Sequence, residues 1–251
     1  MASSPLLDTF KRGEVNHELR LLAAQGAVAP RAEEQLELLV MLTSDADPEI
    51  AATAERTIAA LPAGDVSRIL AGDVSAETRA RFAAQGIHPD ATPGAGDAPL
   101  IDASPEVEET PEGEDQQSAL QRIASLNVAK RIALAMKGNR EERAILIRDP
   151  NRIVTAAVLS SPKMNDTEVA SIAKMQNVSE DVLRTIANNR GWLKNYSVVL
   201  AVVKNPKTPV ALSMNLMARL IEKDLKLLTT DRNVPDTLRT QARRKLTTGD
   251  K

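Results

Sequence analysis

The sequence predicts an all-α fold, a solenoid of short helix pairs preceded by a small acidic helical module, and three observations predict it. Asp149-Pro150, Asn177-Val178, Asn205-Pro206 and Asn233-Val234 recur at a spacing of 28 residues. Aromatic residues make up 2% of the chain while Ala, Leu, Glu, Arg and Lys abound, a composition that disfavours sheets and favours helices. Near the N-terminus apolar residues return every three or four positions, as in Leu19, Leu22 and Ala23, which is the period of a half-buried helix.

The bulk properties narrow the chemistry. At 251 residues and 43% hydrophobic, the chain can bury a core without staples. It has no cysteine, which excludes disulfides, thiolate zinc sites, iron–sulfur clusters and cysteine nucleophiles. Its two histidines, His17 and His88, lie far apart with no second ligand at helical spacing, so no metal and no cofactor is expected. The N-terminus has no basic segment followed by an apolar run, and no later stretch is long enough to span a bilayer. A soluble, cytoplasmic protein without membrane contact is the expectation. The net charge of −2 conceals a division: residues 1–117 carry 8 Lys and Arg against 22 Asp and Glu, and residues 118–251 carry 24 against 12. Such asymmetry points to partners, or to the two halves meeting each other.

Residues 1–86 read as a small acidic module of four or five helices. Helices are expected over 15–25 and 31–42, with Pro30 in the first turn of the second. Asp47 is placed as the N-cap of a helix over 50–61, with Pro48 at its first position and Glu49 favourable to the dipole, and Pro62 ends it. Two copies of Gly-Asp-Val-Ser, at 64–67 and 72–75, introduce two short helices that end near Gly86. Residues 87–117 hold five prolines and nine acids but no Lys or Arg, a composition expected to give a disordered acidic linker.

Residues 118–251 are expected to form the basic repeat domain. Helical stretches over 119–136 and 141–147 would cap the array. Beyond them the 28-residue period aligns Val154, Val182, Val210 and Leu238, then Val158, Ile186, Met214 and Ala242, and in the second helix Ile172, Leu200 and Leu228. Units of this size bury their faces only by stacking on neighbours. Asn165 with Glu168 reads as a capping box, Ser179 as an N-cap, and Thr208-Pro209 as a cap followed by a first-turn proline. The stretch Asn205-Pro206-Lys207-Thr208-Pro209-Val210 resembles the Asn-Pro-x-Thr-Pro turn of leucine-rich repeat variant proteins, bacterial α-solenoids, and Asp45–Ile50 is similar to the turn of HEAT-like repeats. The resemblance implies an architecture and a general binding role, and it carries no catalytic residues.

No dinucleotide fingerprint, P-loop or nucleophile elbow occurs. Pairs such as Glu141-Glu142 and Glu180-Asp181 suit helix first turns. The candidate binding residues are basic and aromatic: Arg148, Arg152, Arg190, Trp192, Lys194, Tyr196, Lys204, Arg243 and Arg244. Trp192 and Tyr196, four apart, are expected on one helical face, either as an aromatic-basic patch or with Trp192 packed at a seam between repeats. The expected function is a non-catalytic scaffold that binds a protein, one of acidic character, through the basic repeat surface. The alternative is nucleic-acid binding by that surface, with the acidic half folding back on it as an internal competitor. A glycosylase-like activity would require an acid beside an aromatic pocket, which the sequence does not place.

Overall fold

The computed structural model describes residues 5–28, 31–91, 98–106 and 116–249. Pro30 and most of the proline- and acid-rich stretch, 92–97 and 107–115, lie outside the described residues. Among those described, every regular element is helical, sixteen α-helices and one 3-10 turn with no strand. No helix among them is long and apolar enough to cross a membrane. Packing divides the chain into two compact units, Met1–Lys163 and Met164–Lys251, so residues 118–163 belong with the acidic N-terminal residues and not with the rest of the basic half.

The first unit runs through α1 (Pro5–Lys11), α2 (His17–Ala24), α3 (Ala32–Leu42), α4 (Pro48–Ala59), α5 (Ala63–Leu70) and α6 (Ala76–Ala83), and then α7 (Gln116–Ser125), α8 (Val128–Lys137), α9 (Arg140–Leu146) and α10 (Arg152–Leu159). Asp47 caps α4 with Pro48 at its first position, as the turn sequence predicts. The second Gly-Asp-Val-Ser copy supplies Ser75 as the N-cap of α6, but the first lies inside α5, which begins one residue earlier behind Pro62. The stretch 119–136 is two helices because Asn127 turns its side chain to the Lys130 N–H and starts α8 afresh. Helix α1, which the periodicity near the N-terminus did not reveal, packs on α10, and the Leu6 N–H donates to Ser160 Oγ at 3.2 Å.

One clamp is built twice in this unit. Arg20, the fourth residue of α2, holds both oxygens of Asp45 at 2.6 and 2.7 Å, and Asp45 Oδ1 accepts the Asp47 N–H at 2.9 Å. Arg131, the fourth residue of α8, pairs with Asp149, whose Oδ1 accepts the Asn151 N–H at 2.8 Å. Each aspartate thereby fixes the turn that starts a later helix, α4 or α10, from a helix packed against it. The aspartate side chains are 7% and 6% exposed, so removing either arginine strands a buried carboxylate.

The stretch 87–117, read as a disordered linker, differs where it is described. Residues 98–106 lie along α3, and α7 begins at Gln116. Gln35, fully buried on α3, receives the Ile101 N–H on Oε1 at 2.9 Å and donates its amide to the Ile101 carbonyl, so one side chain satisfies both backbone groups of that residue. Leu100 and Ile101 pack on the core formed by Leu36, Leu39, Leu70 and Phe82. Asp102 adds a 2.7 Å ion pair to Lys137; burial works against its charge, but the bonds from Lys137 and Ser104 prevail and hold its carboxyl below the usual range. Two apolar side chains and one buried amide thus outweigh a polar, proline-rich composition. Gly26 makes room for them: its φ is +83°, its carbonyl accepts the Ala103 N–H, and a Cβ there would meet Ile101 Cγ2 at 2.9 Å. Gly26→Ala is expected to destabilise the protein by about 1–3 kcal/mol, from the left-handed backbone and the contact together. Gln35→Leu keeps the volume but leaves both Ile101 groups unpaired. Urea unfolding measures the first effect, and protease cleavage between 98 and 106 should accelerate in both variants.

The second unit holds α11 (Asp166–Lys174), α12 (Glu180–Asn188), the 3-10 turn Trp192–Lys194, α13 (Tyr196–Lys204), α14 (Val210–Met217), α15 (Glu222–Leu228) and α16 (Asp236–Gly249). Asn165 and Ser179 cap α11 and α12 as predicted. Helix α11 packs on α13, and α14 on α16, each on the next helix but one. The aligned columns are buried at Ile172, Val182, Ile186, Leu228, Leu238 and Ala242, but they break at α14, where Val210 and Met214 are 37% and 39% exposed. The cause lies in the preceding turn. Pro209 takes the N-cap place, Thr208 turns its hydroxyl back to the Val202 carbonyl, and α14 starts 30 residues after α12, which moves the buried set to Ser213, Leu216 and Met217.

Candidate interaction surface of the C-terminal unit

Helices of seven to fourteen residues leave many carbonyls without intrahelical partners. In this chain basic side chains from later in the sequence supply them. Lys245 Nζ donates at 3.2 Å to the carbonyl of Met217, the last residue of α14, and in the first unit Lys163 donates to that of Lys137, the last residue of α8; Arg219 reaches the Leu193 carbonyl in the 3-10 turn at 2.6 Å, and Lys207 the Val178 carbonyl in the loop before α12 at 3.2 Å. Their sequence separations of 26 to 29 residues bracket the spacing seen in the sequence. Cations at carbonyl-rich helix ends also complement the dipole. A share of the basic excess therefore holds helix ends together, a role that counting charges does not separate from binding.

Asn205 does the same with an amide. It is 4% exposed; its Nδ2 donates to the carbonyls of Ala173 and Met175 at 2.8 and 2.9 Å, and its Oδ1 accepts the Lys207 N–H at 3.0 Å. The end of α11 is thus tied to the end of α13. Asn205→Ala removes all three bonds and is expected to cost about 2–3 kcal/mol, because two carbonyls are left without a donor. Asn205→Asp should cost more, since a carboxylate would face those carbonyls. Chemical denaturation of the three proteins checks the order.

The predicted binding residues fall into distinct settings. Arg148 and Arg152 belong to the first unit. Arg148 Nε donates to the Ala144 carbonyl at 3.0 Å, and Arg152 is paired with Glu14 at 3.6 Å. Arg243 on α16 donates to the Thr229 carbonyl at 3.1 Å, beside the exposed Arg244. Trp192 and Tyr196 do not share a helical face, which corrects the four-residue spacing argument. Asn189 Oδ1 accepts the Gly191 and Trp192 N–H groups, a 3-10 turn follows, and Asn195 caps a new helix at Tyr196. Leu193 takes the buried place and Trp192 is half-buried. The Tyr196 hydroxyl donates to Asp224 and accepts the Ile221 N–H at 3.2 Å; desolvation and then the Asp224 carboxylate raise its pKa. Arg190, Lys194 and Lys204 make no ion pair among the described residues, and the first two are exposed.

Lys204 lines a cleft of about 370 Å³ on the second unit. The floor includes Leu200 and Ala201 of α13, with Asn205 committed to its structural bonds beneath; Gln176, Ser197 and Asn233 supply amides and a hydroxyl; Lys174 and Lys204, the last residues of α11 and α13, supply positive charge, and Asp231 the only acid of the lining. Lys174, too, makes no ion pair among the described residues. Of the predicted residues only Lys204 lines this cleft. Lys174, Gln176, Ser197 and Asn233 were missed, although Lys174 and Lys204 do sit at equivalent helix ends 30 residues apart.

His17, which has no partner near it in sequence, sits 2.9 Å from Asp47 Oδ2, because α2 and α4 pack together. No family model matches the chain, and no curated protein and no solved structure was found similar to it.

Proposed function

We propose that this chain is a non-catalytic binding scaffold, a HEAT-like helical-repeat protein whose second unit receives an acidic protein segment. The observation that carries the reading is the cleft rimmed by Lys174 and Lys204, two cations without ion-pair partners among the described residues, over an apolar floor. An extended acidic peptide suits that combination: its carboxylates meet the two lysines, its backbone meets the amides and Ser197, and an apolar side chain covers Leu200. The solenoid reading is supported by α11 on α13 and α14 on α16, and by basic side chains reaching back 26 to 29 residues to backbone carbonyls of earlier helices, turns and loops. With 15 Lys and Arg against 9 Asp and Glu, residues 164–251 keep a positive field that would steer such a partner.

The test uses the full chain against labelled acidic peptides and labelled DNA and RNA over a salt series. Peptide binding is expected, and Lys174→Glu combined with Lys204→Glu should weaken it at least tenfold while the helical circular dichroism stays unchanged. Binding of nucleic acid alone, with a steep loss of affinity on adding salt, would replace this reading by phosphate-backbone recognition.

A further inference from the structure

We propose that His17, Asp47 and Glu49 form a divalent-metal site in the first unit, suited to Zn²⁺. The imidazole and the two carboxylates each bring one donor atom to the same end of the packed helices α2 and α4, and these atoms lie within 4.8 Å of one another. Tetrahedral metal–ligand distances of about 2.0–2.2 Å set donors roughly 3.3–3.6 Å apart, so His17 and Asp47, 2.9 Å apart, part slightly to admit the ion while the exposed Glu49 side chain swings inward.

The donor chemistry selects the ion. A nitrogen with two carboxylate oxygens is the set a borderline cation such as Zn²⁺ takes, and three protein ligands leave a fourth, tetrahedral position for water. Mg²⁺ and Ca²⁺ favour six or more oxygens and gain little from an imidazole. Two negative charges offset both the ion's charge and the opposing dipole at the start of α4.

The central ligand is held from behind, as metal ligands need. Asp47 Oδ1 accepts the Glu49 N–H at 2.9 Å, which leaves Oδ2 facing His17. The Asp47 N–H in turn donates to Asp45, and Asp45 is gripped by Arg20. On the other side, Asn16 caps α2 one residue before His17 and fixes where the imidazole leaves the backbone. The second copy of this clamp, at Asp149 and Asn151, has Val128 where α2 has His17 and Arg152 after its cap, and so offers no donor set.

The chain has only one other histidine, His88, and no cysteine, so the experiment has a built-in control. Zinc chloride is titrated into the full chain by calorimetry and by imidazole proton–nitrogen correlation spectra. One Zn²⁺ per chain is expected, with the His17 signals moving and those of His88 unmoved, and with excess Mg²⁺ failing to compete. His17→Ala should weaken binding at least tenfold and His88→Ala should leave it unchanged. Glu49→Gln, at an exposed position where folding is not at stake, should weaken it several-fold. No saturable binding at millimolar zinc, equal perturbation of both histidines, or unaltered affinity in His17→Ala or Glu49→Gln would overturn the site.

Discussion

Helix ends govern this structure more than helix middles do. A seven- or eight-residue helix, such as α1, α9 or α15, makes so few internal bonds that nearly all of its backbone groups count as terminal. Such elements are marginal in isolation and persist only when side chains from elsewhere complete them. Asn and Asp therefore do at the helix starts what Lys, Arg and Asn205 do at the ends. The two Arg–Asp clamps of the first unit are the costliest form of that solution, since each buries an ion pair to fix a turn.

This dependence explains which parts of the fold could be read from the sequence. The N-caps at Asp47, Asn165 and Ser179 were legible because a cap and its helix are neighbours in sequence. The 28-residue columns were legible wherever the helix start kept its place, and they failed at α14, where a proline postponed the start by two residues and rotated the buried face. The reading of Trp192 with Tyr196 failed for a similar reason: a four-residue spacing says nothing once Asn189 and Asn195 interrupt the helix between them.

Contacts that join distant segments were out of reach. Neither the Gln35 amide that holds Ile101 nor the approach of His17 to Asp47 has a local signature, because each depends on how α2, α3 and α4 pack. The charge division held only in part. Residues from the two sides of position 117 do meet, Glu14 with Arg152 and Asp102 with Lys137, but within one compact unit whose boundary lies at residue 163 and not at 117. Lys174 and Lys204, which line the cleft of the second unit, are cations without an ion pair among the described residues, and no local pattern in the sequence brings them together.

The side chains that complete these helix C-termini lie later in the chain than the carbonyls they serve: Thr57 for Ala24, Ser161 for Met136, Asn205 for Ala173 and Lys245 for Met217. During synthesis, then, a finished helix waits for residues not yet made. At ribosomal rates the interval for some 28 residues is roughly 1–6 s, far longer than a helix needs to form or fray. From α2 onward each new segment leaving the ribosome locks one made before it, whereas α1, whose Leu6 N–H is completed by Ser160 at the end of α10, waits longest for its partner.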